Sequence, residues 1–365
     1  MIAGRQYFRE LLDDAKTGWD HFWFTPSHAA TLCVIRILAG AMLFYTHLIW
    51  TINSDAFFGQ YGWLSSEAID VLQNGSFAWS FLWLFDSSLA LIAVHVLSLI
   101  VFACLTLGLF SRVTAVLAFL ISVSYANRVS PALFGLDQIN VMLAMYLMLG
   151  PTGAHYSLDR LIARRGSSNR ATNTRPSVAA NVSIRLIQVH MCVIYLFAGL
   201  SKLQGPAWWN GTAIWGAIAN LEYQSIDITW LVNWPLLVNL LTHVTVAWEI
   251  SYCVLVWNRL TRPLVLLLAL PIHLGIGFCL GMMTFGTIML VANLAFVSPQ
   301  LIRHFLERPV CQRPSNRVRH FSRAKFSTSS GSGHRDRSHN HVPISHTGTK
   351  RRRARSLIGR KRRVE

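Results

Sequence analysis

RLIQVHMCVIYLFAGLSKL, residues 185–203, decides the fold class. It is a nearly continuous apolar run close to the ~20 residues that cross a bilayer as an α-helix. Yet it holds Arg185, Gln188, His190, Tyr195 and Lys202. Lipid offers the backbone no hydrogen-bond partner, so such a run closes its own bonds as a helix. On that helix Arg185, Gln188, Tyr195, Gly199 and Lys202 fall along one face. An ionisable side chain in lipid costs several kcal/mol, so a face of this kind turns toward other helices or a wet cavity. The stretch is therefore one span of a polytopic bundle, with a hydrophilic stripe directed inward.

Composition extends this reading to the whole chain. Hydrophobic residues make up 53% and charged residues 13% of the 365 positions, where soluble domains carry about 25% charged. Apolar segments recur at about 29–52, 88–109, 113–127, 132–150, 183–203, 235–257, 262–280 and 282–298. The expected fold is all-α, an integral membrane bundle of about eight transmembrane helices. The third and fourth segments are short enough to tilt or re-enter. Period-2 alternation, the mark of a β-barrel, is not evident.

Lys and Arg in short loops set orientation. Segment 53–87 has none but carries Asp55, Glu67, Asp70 and Asp86, and segment 204–234 has none but carries Glu222 and Asp227. Both are expected outside. Arg160, Arg164, Arg165, Arg170 and Arg175 place 151–182 inside, and Arg112, Arg259 and Arg262 agree; Arg128 alone opposes. Both termini are then cytoplasmic, in the inner membrane if the cell is bacterial. The outer segments FFGQYGWLS (57–65), SFAWSFLWLF (76–85) and GPAWWNGTAIW (205–215) are rich in aromatic rings that suit the membrane–water boundary. They either anchor the bundle there or wall a lipid-accessible cavity.

Three regions follow: an amphipathic N-terminal segment (1–28), the membrane domain (29–300, with a flexible cytoplasmic linker at 160–180) and a basic tail (301–365). In the tail 18 Lys and Arg face only Glu307, Asp336 and Glu365, so +15 of the net +17 sits there. Its low apolar content predicts disorder. It would attract anionic lipid headgroups, and no folded nucleic-acid reader accompanies its charges. The N-terminus does not read as a cleavable signal peptide. The six cysteines show no metal or disulfide spacing, and no metal site is expected.

Further ionisable residues at membrane depth are Arg36, His47, His95, Asp137, His190, His243, Glu249 and His273, with Gln138 and Asn140. Several have a bland reading: Arg36 and Arg185 could snorkel to headgroups, and His47 and His95 could be core histidines. Lys202, near the outer end of its span, either snorkels or serves chemistry. A lysine desolvated by apolar neighbours gives up its proton more readily, and a neutral amine can take one from a phenol or an enolisable carbon. Glu249 and His243, six residues apart and so on different faces, are candidate partners of the Arg/Lys stripe. Phosphate-binding loops, a nucleophile elbow and HExxH are absent.

RLIQVHMCVIYLFAGLSKLQGPAWWNGTA (185–213) resembles the membrane domain shared by vitamin K-dependent gamma-carboxylases and HTTM-domain proteins. VIRILAGAML (34–43), GLFSRVTAV (108–116) and GLDQINVMLAMYLMLGPTGAHYSLDRL (135–161) extend the similarity over roughly residues 15–300. The resemblance implies a helical bundle with an outward-opening active face. It matches Lys202 to the base that deprotonates reduced vitamin K in the carboxylases. Arg185, Gln188, His190, Tyr195, Trp209, Asp137, Gln138, Glu249 and His243 are the candidate cavity-lining or supporting residues. Where the carboxylases have an important histidine, this chain reads GLDQIN. The cofactor implied is a reduced vitamin K or menaquinol-like quinol, and the partners are the bilayer and a lipid-soluble quinone. Three functions stay open: a quinol-dependent membrane enzyme, a non-catalytic binding or transport protein, and a scaffold acting through its tail.

Overall fold

A computed structural model describes residues 2–59, 62–63, 65–73, 77–85, 87–165 and 175–307. Most of the basic tail and the middle of the 160–180 linker lie outside these residues. Among those described, regular structure is helical, and Ser27 and Ser177 form an isolated antiparallel bridge. The long helices are α1 (Ile2–Phe24), α2 (Ala30–Trp50), α3 (Ser88–Leu107), α4 (Ser111–Arg128), α5 (Gly135–Leu149), α6 (Val178–Lys202), α7 (Pro235–Leu255), α8 (Arg262–Cys279) and α9 (Met283–Asn293).

All eight apolar segments are helical, but they are not equally suited to crossing a bilayer. Five helices are long and apolar enough: Ala30–Phe58, Ser88–Leu107, Val178–Lys202, Pro235–Leu255 and Arg262–Cys279. A sixth arises if Met283–Phe296 is joined to the helix Pro299–Leu306 across a 111° bend. The expected eight are thus five to six by this standard. The 15-residue α5 reaches only ~22 Å, against a hydrocarbon core of ~30 Å. In α4 the apolar run is broken by Ser, Thr, Asn and Arg.

The surface is apolar and the interior contains the charges. Leu89, Leu97 and Ile100 on α3 and Leu264, Leu267 and Phe278 on α8 are exposed, whereas Arg36, His47, His95, Arg128, Gln188, Glu249 and His273 are buried. This inverted distribution suits lipid outside and polar contacts between helices. The protein is an integral, multi-pass membrane protein.

Helices α2 and α6 are central. α2 packs on α3, α5 and α9, while α6 packs on α7, α5, α1 and α9. One apolar core, including Leu32, Leu143, Ile187, Met191, Tyr252 and Ile288, joins α2, α5 and α6 to α9. Another, including Leu43, Phe58, Phe102 and Tyr125, fills the space among α2 to α5 and the first Trp-rich segment.

Two local devices fix the arginine-rich end. Gly108, at φ +71°, ends α3 in the left-handed conformation, and Asp159 accepts from Phe110 N, Ser111 N and Ser111 Oγ at 2.7 Å, capping α4. Burial opposes ionisation of Asp159, but these hydrogen bonds and the charge of Arg36 outweigh it and hold the carboxyl below its ordinary value. Arg36 does not snorkel. It is fully buried, and its Nη2 donates to Tyr156 O at 2.6 Å. The turn before α4 and the segment after α5 are thereby tied to α2.

Candidate functional site

α6 ends at Lys202, and the geometry there depends on how α6 meets α7. Gly199 lies against Glu249 and Ile250: a Cβ added to it would stand 2.7 Å from Ile250 Cγ1 and 3.2 Å from Glu249 Cβ. The missing side chain allows α6 to approach α7 closely. α7 begins at Pro235, so it continues about 20 Å beyond Glu249 at ~1.5 Å per residue. From the sequence Lys202 is expected near the outer rim; the structure sets it beside the C-terminal half of α7.

Lys202 Nζ lies 2.9 Å from Glu249 Oε1 and 2.8 Å from Oε2. Only Oε1 is in hydrogen-bonding direction. Oε2 is buried and held by charge alone, without a directed donor. The side chains retain 24% and 10% exposure, so the lysine is the accessible member of the pair. The Trp208 ring centroid is 5.3 Å from Nζ, within cation–π range. Trp208 belongs to the short helix Pro206–Trp209, and the segment after it is tied to the N-terminal half of α7. Thr242 Oγ donates to Gly211 O (3.1 Å) and Asn239 Nδ2 to Asn210 O (3.3 Å). Gly211 adopts φ +73° where Asn239 crowds it.

A second polar layer lies two helical turns back along α6. Tyr195 Oη is 2.6 Å from His273 Nε2 and accepts from Asn293 Nδ2 at 2.8 Å; Tyr252 Oη donates to Asn293 Oδ1 at 2.6 Å. The four side chains come from α6, α8, α9 and α7. The Trp248 ring stands 4.8 Å from that of Tyr195, and its Nε1 donates to Val265 O at 3.0 Å. His273 Nδ1 is buried without a partner.

The remaining predicted residues scatter. Arg185 is 17 residues from Lys202, about 25 Å along the axis. It donates to Gln188 Oε1 (2.9 Å) and stacks over Phe22 of α1, 4.3 Å from the ring centroid. Gln188 Nε2 in turn donates to Ala295 O at 2.7 Å. These two fasten α6 to its neighbours at the arginine-rich end. His190 turns to α5, with Nδ1 2.9 Å from Tyr146 Oη. Asp137 accepts from Phe134 N (2.9 Å) at the start of α5, and Gln138 is exposed. His243 is exposed, with Nδ1 2.9 Å from its own helix's Asn239 O. Trp209 points out at 64% exposure; its neighbour Trp208 reaches the lysine.

Trp208, Tyr252 and Asn293 are not among the candidates read from the sequence, and His273 figures there only as an ionisable residue at membrane depth. Their common signal is a polar or amphipathic side chain within an apolar run, too frequent here to single them out. No group of three or more His, Cys, Asp or Glu among the described residues could hold a metal ion.

A family model described as the HTTM domain matches residues 24–300. No curated protein and no solved structure matches the chain.

Proposed function

The chain belongs to the HTTM-domain family, and from that premise we propose that it is a membrane enzyme in which Lys202, paired with Glu249, takes a proton from a lipid-soluble weak acid of the quinol class. The observation that carries the reading is the ion pair itself: a lysine held 2.8–2.9 Å from a carboxylate between two helices, still reachable from one side. The HTTM domain is the membrane domain found in vitamin K-dependent gamma-carboxylases, which supports a quinol as the acid.

The surroundings of Lys202 suit such a molecule. Trp208 offers an aromatic face beside Lys202 Nζ, the accessible member of the pair. A bound quinol supplies an acidic phenolic hydroxyl. A protonated lysine cannot serve as base, so the pair must first rearrange. Moving one proton from Nζ to the Glu249 carboxylate leaves a neutral amine beside a neutral acid. Two charges gain little from remaining separated where solvent is scarce, so this transfer runs along the directed 2.9 Å hydrogen bond to Oε1. The amine then accepts the incoming proton at Nζ, and Glu249 holds the one displaced. The layer of Tyr195, His273, Asn293 and Tyr252 keeps α6, α7, α8 and α9 in register beneath the pair.

The charge pattern supports cytoplasmic termini and access to Lys202 from the outer side, in the inner membrane if the cell is bacterial. The division into an N-terminal segment (1–28), membrane domain (29–300) and basic tail (301–365) belongs to the same reading. In proteoliposomes supplied with a reduced naphthoquinol, Lys202→Ala should abolish quinol-dependent turnover while the protein still reaches the membrane. Wild-type turnover in that variant would remove the base assignment.

A further inference from the structure

A small cavity of about 10 Å³ lies where α2, α4 and α5 meet, and none of its lining residues belongs to the Lys202 site. Its walls include His47 and Trp50 of α2, Ser122 and Tyr125 of α4, and Asn140 of α5. That is room for a single molecule the size of water. Ala126, Leu133 and Asp137, all partly exposed, form one side of it and give a route of entry.

The hydrogen bonds around this cavity leave two acceptors over. His47 and Asn140 are 3% and 2% exposed. His47 Nδ1 lies 2.8 Å from Leu43 O. A carbonyl oxygen only accepts, so Nδ1 carries the proton and, in the neutral ring, Nε2 is a bare acceptor. His47 Nε2 is buried without a partner, and so is Asn140 Oδ1. The neighbouring donors are already spent. Ser122 Oγ donates to Ala118 O at 2.7 Å and Thr46 Oγ1 to Met42 O at 2.8 Å. His95 Nε2 is 2.9 Å from His47 O and must donate there, which leaves its Nδ1 to accept from Tyr125 Oη at 2.9 Å. Asp137 accepts from Phe134 N. An acceptor withdrawn from water without a donor keeps its full desolvation penalty, and this cavity holds two.

We propose that the cavity is a binding site for one water molecule, which donates one hydrogen to His47 Nε2 and the other to Asn140 Oδ1. Water brings two donors to two acceptors, and the space admits nothing larger. Buried waters answer polar groups of this kind that the protein leaves without partners. The bridge also has a mechanical consequence. Among the described residues no side-chain hydrogen bond joins α2 directly to α5, so the water supplies that polar fastening. The site is independent of the Lys202 chemistry.

The test uses the full chain in lipid nanodiscs and ammonium-free buffer, imaged at a resolution that shows ordered water. The expected result is one density peak about 2.7–3.2 Å from both His47 Nε2 and Asn140 Oδ1. An empty cavity would overturn the proposal. So would a peak that forms only when ammonium, a donor of the same size, is added, because the ligand would then be that cation. A second reading comes from thermal unfolding of His47→Phe, Asn140→Leu and the double variant. Each single variant strands the other acceptor and should lower the midpoint, and the double should fall no further than the worse single. Losses that add would show that the two side chains share no ligand. Should a variant fail to fold, the wild-type density decides.

Discussion

At the scale of single residues, the account turns on which polar groups have partners inside the bundle. Lys202 and Glu249 neutralise each other, so removing one strands the other in a poorly solvated place. Breaking a buried pair from one side typically costs about 3–5 kcal/mol, whereas replacing both partners with apolar side chains is often neutral or stabilising. Because Lys202 keeps some exposure, the lower end applies. Lys202→Met should lose about 2–3 kcal/mol, and Lys202→Met/Glu249→Leu should recover most of it, read as unfolding in a denaturant series in detergent. A double variant as unstable as the sum of the two singles would mean that the side chains do not interact. Lys202 was legible as a residue of interest because an amine inside an apolar run is costly wherever it sits. Arg185 gave the same signal for another reason: it clasps Phe22 of α1 and Gln188. Sequence periodicity puts both on one face but does not say what each face meets at either end of a helix 25 residues long.

At the scale of elements, the close approach of α6 and α7 sets the register of the pair. A methyl group at Gly199 would meet the Ile250 side chain and press on its backbone nitrogen, 3.1 Å away. Gly199→Ala should therefore push the helices apart, cost about 1–3 kcal/mol and reduce turnover along with stability. Gly216→Ala, which enters open space, should leave both unchanged. Should the Gly199 variant match wild type in both, the register argument fails. Apolar length and charge placement made the helices legible, and all eight segments formed. Their stagger was not legible. α7 overshoots the end of α6, and the Trp-rich segment folds back along the surplus, through contacts between residues about 30 positions apart such as Thr242 and Gly211. Such contacts leave no mark in a local hydrophobic pattern. The same holds for Asn293, which meets Tyr195 from 98 positions away.

At the scale of the molecule, an apolar exterior surrounds an interior that holds the Lys202–Glu249 pair, with an arginine-lined cleft at the end away from it. In our proposal the loop charges put segment 204–234 outside and the arginine-rich turns inside. A membrane-impermeant thiol reagent should label Glu222→Cys in intact cells and Arg259→Cys only after permeabilisation, and the reverse pattern would invert the orientation. The central claim is that Lys202 acts as a base rather than as a structural cation, and Lys202→Arg separates the two. Arginine keeps the positive charge opposite Glu249 but does not give up its proton at working pH. Quinol-dependent turnover by that variant in proteoliposomes should fall to background while its unfolding stays near wild type. Sustained turnover with arginine at position 202 would contradict the account.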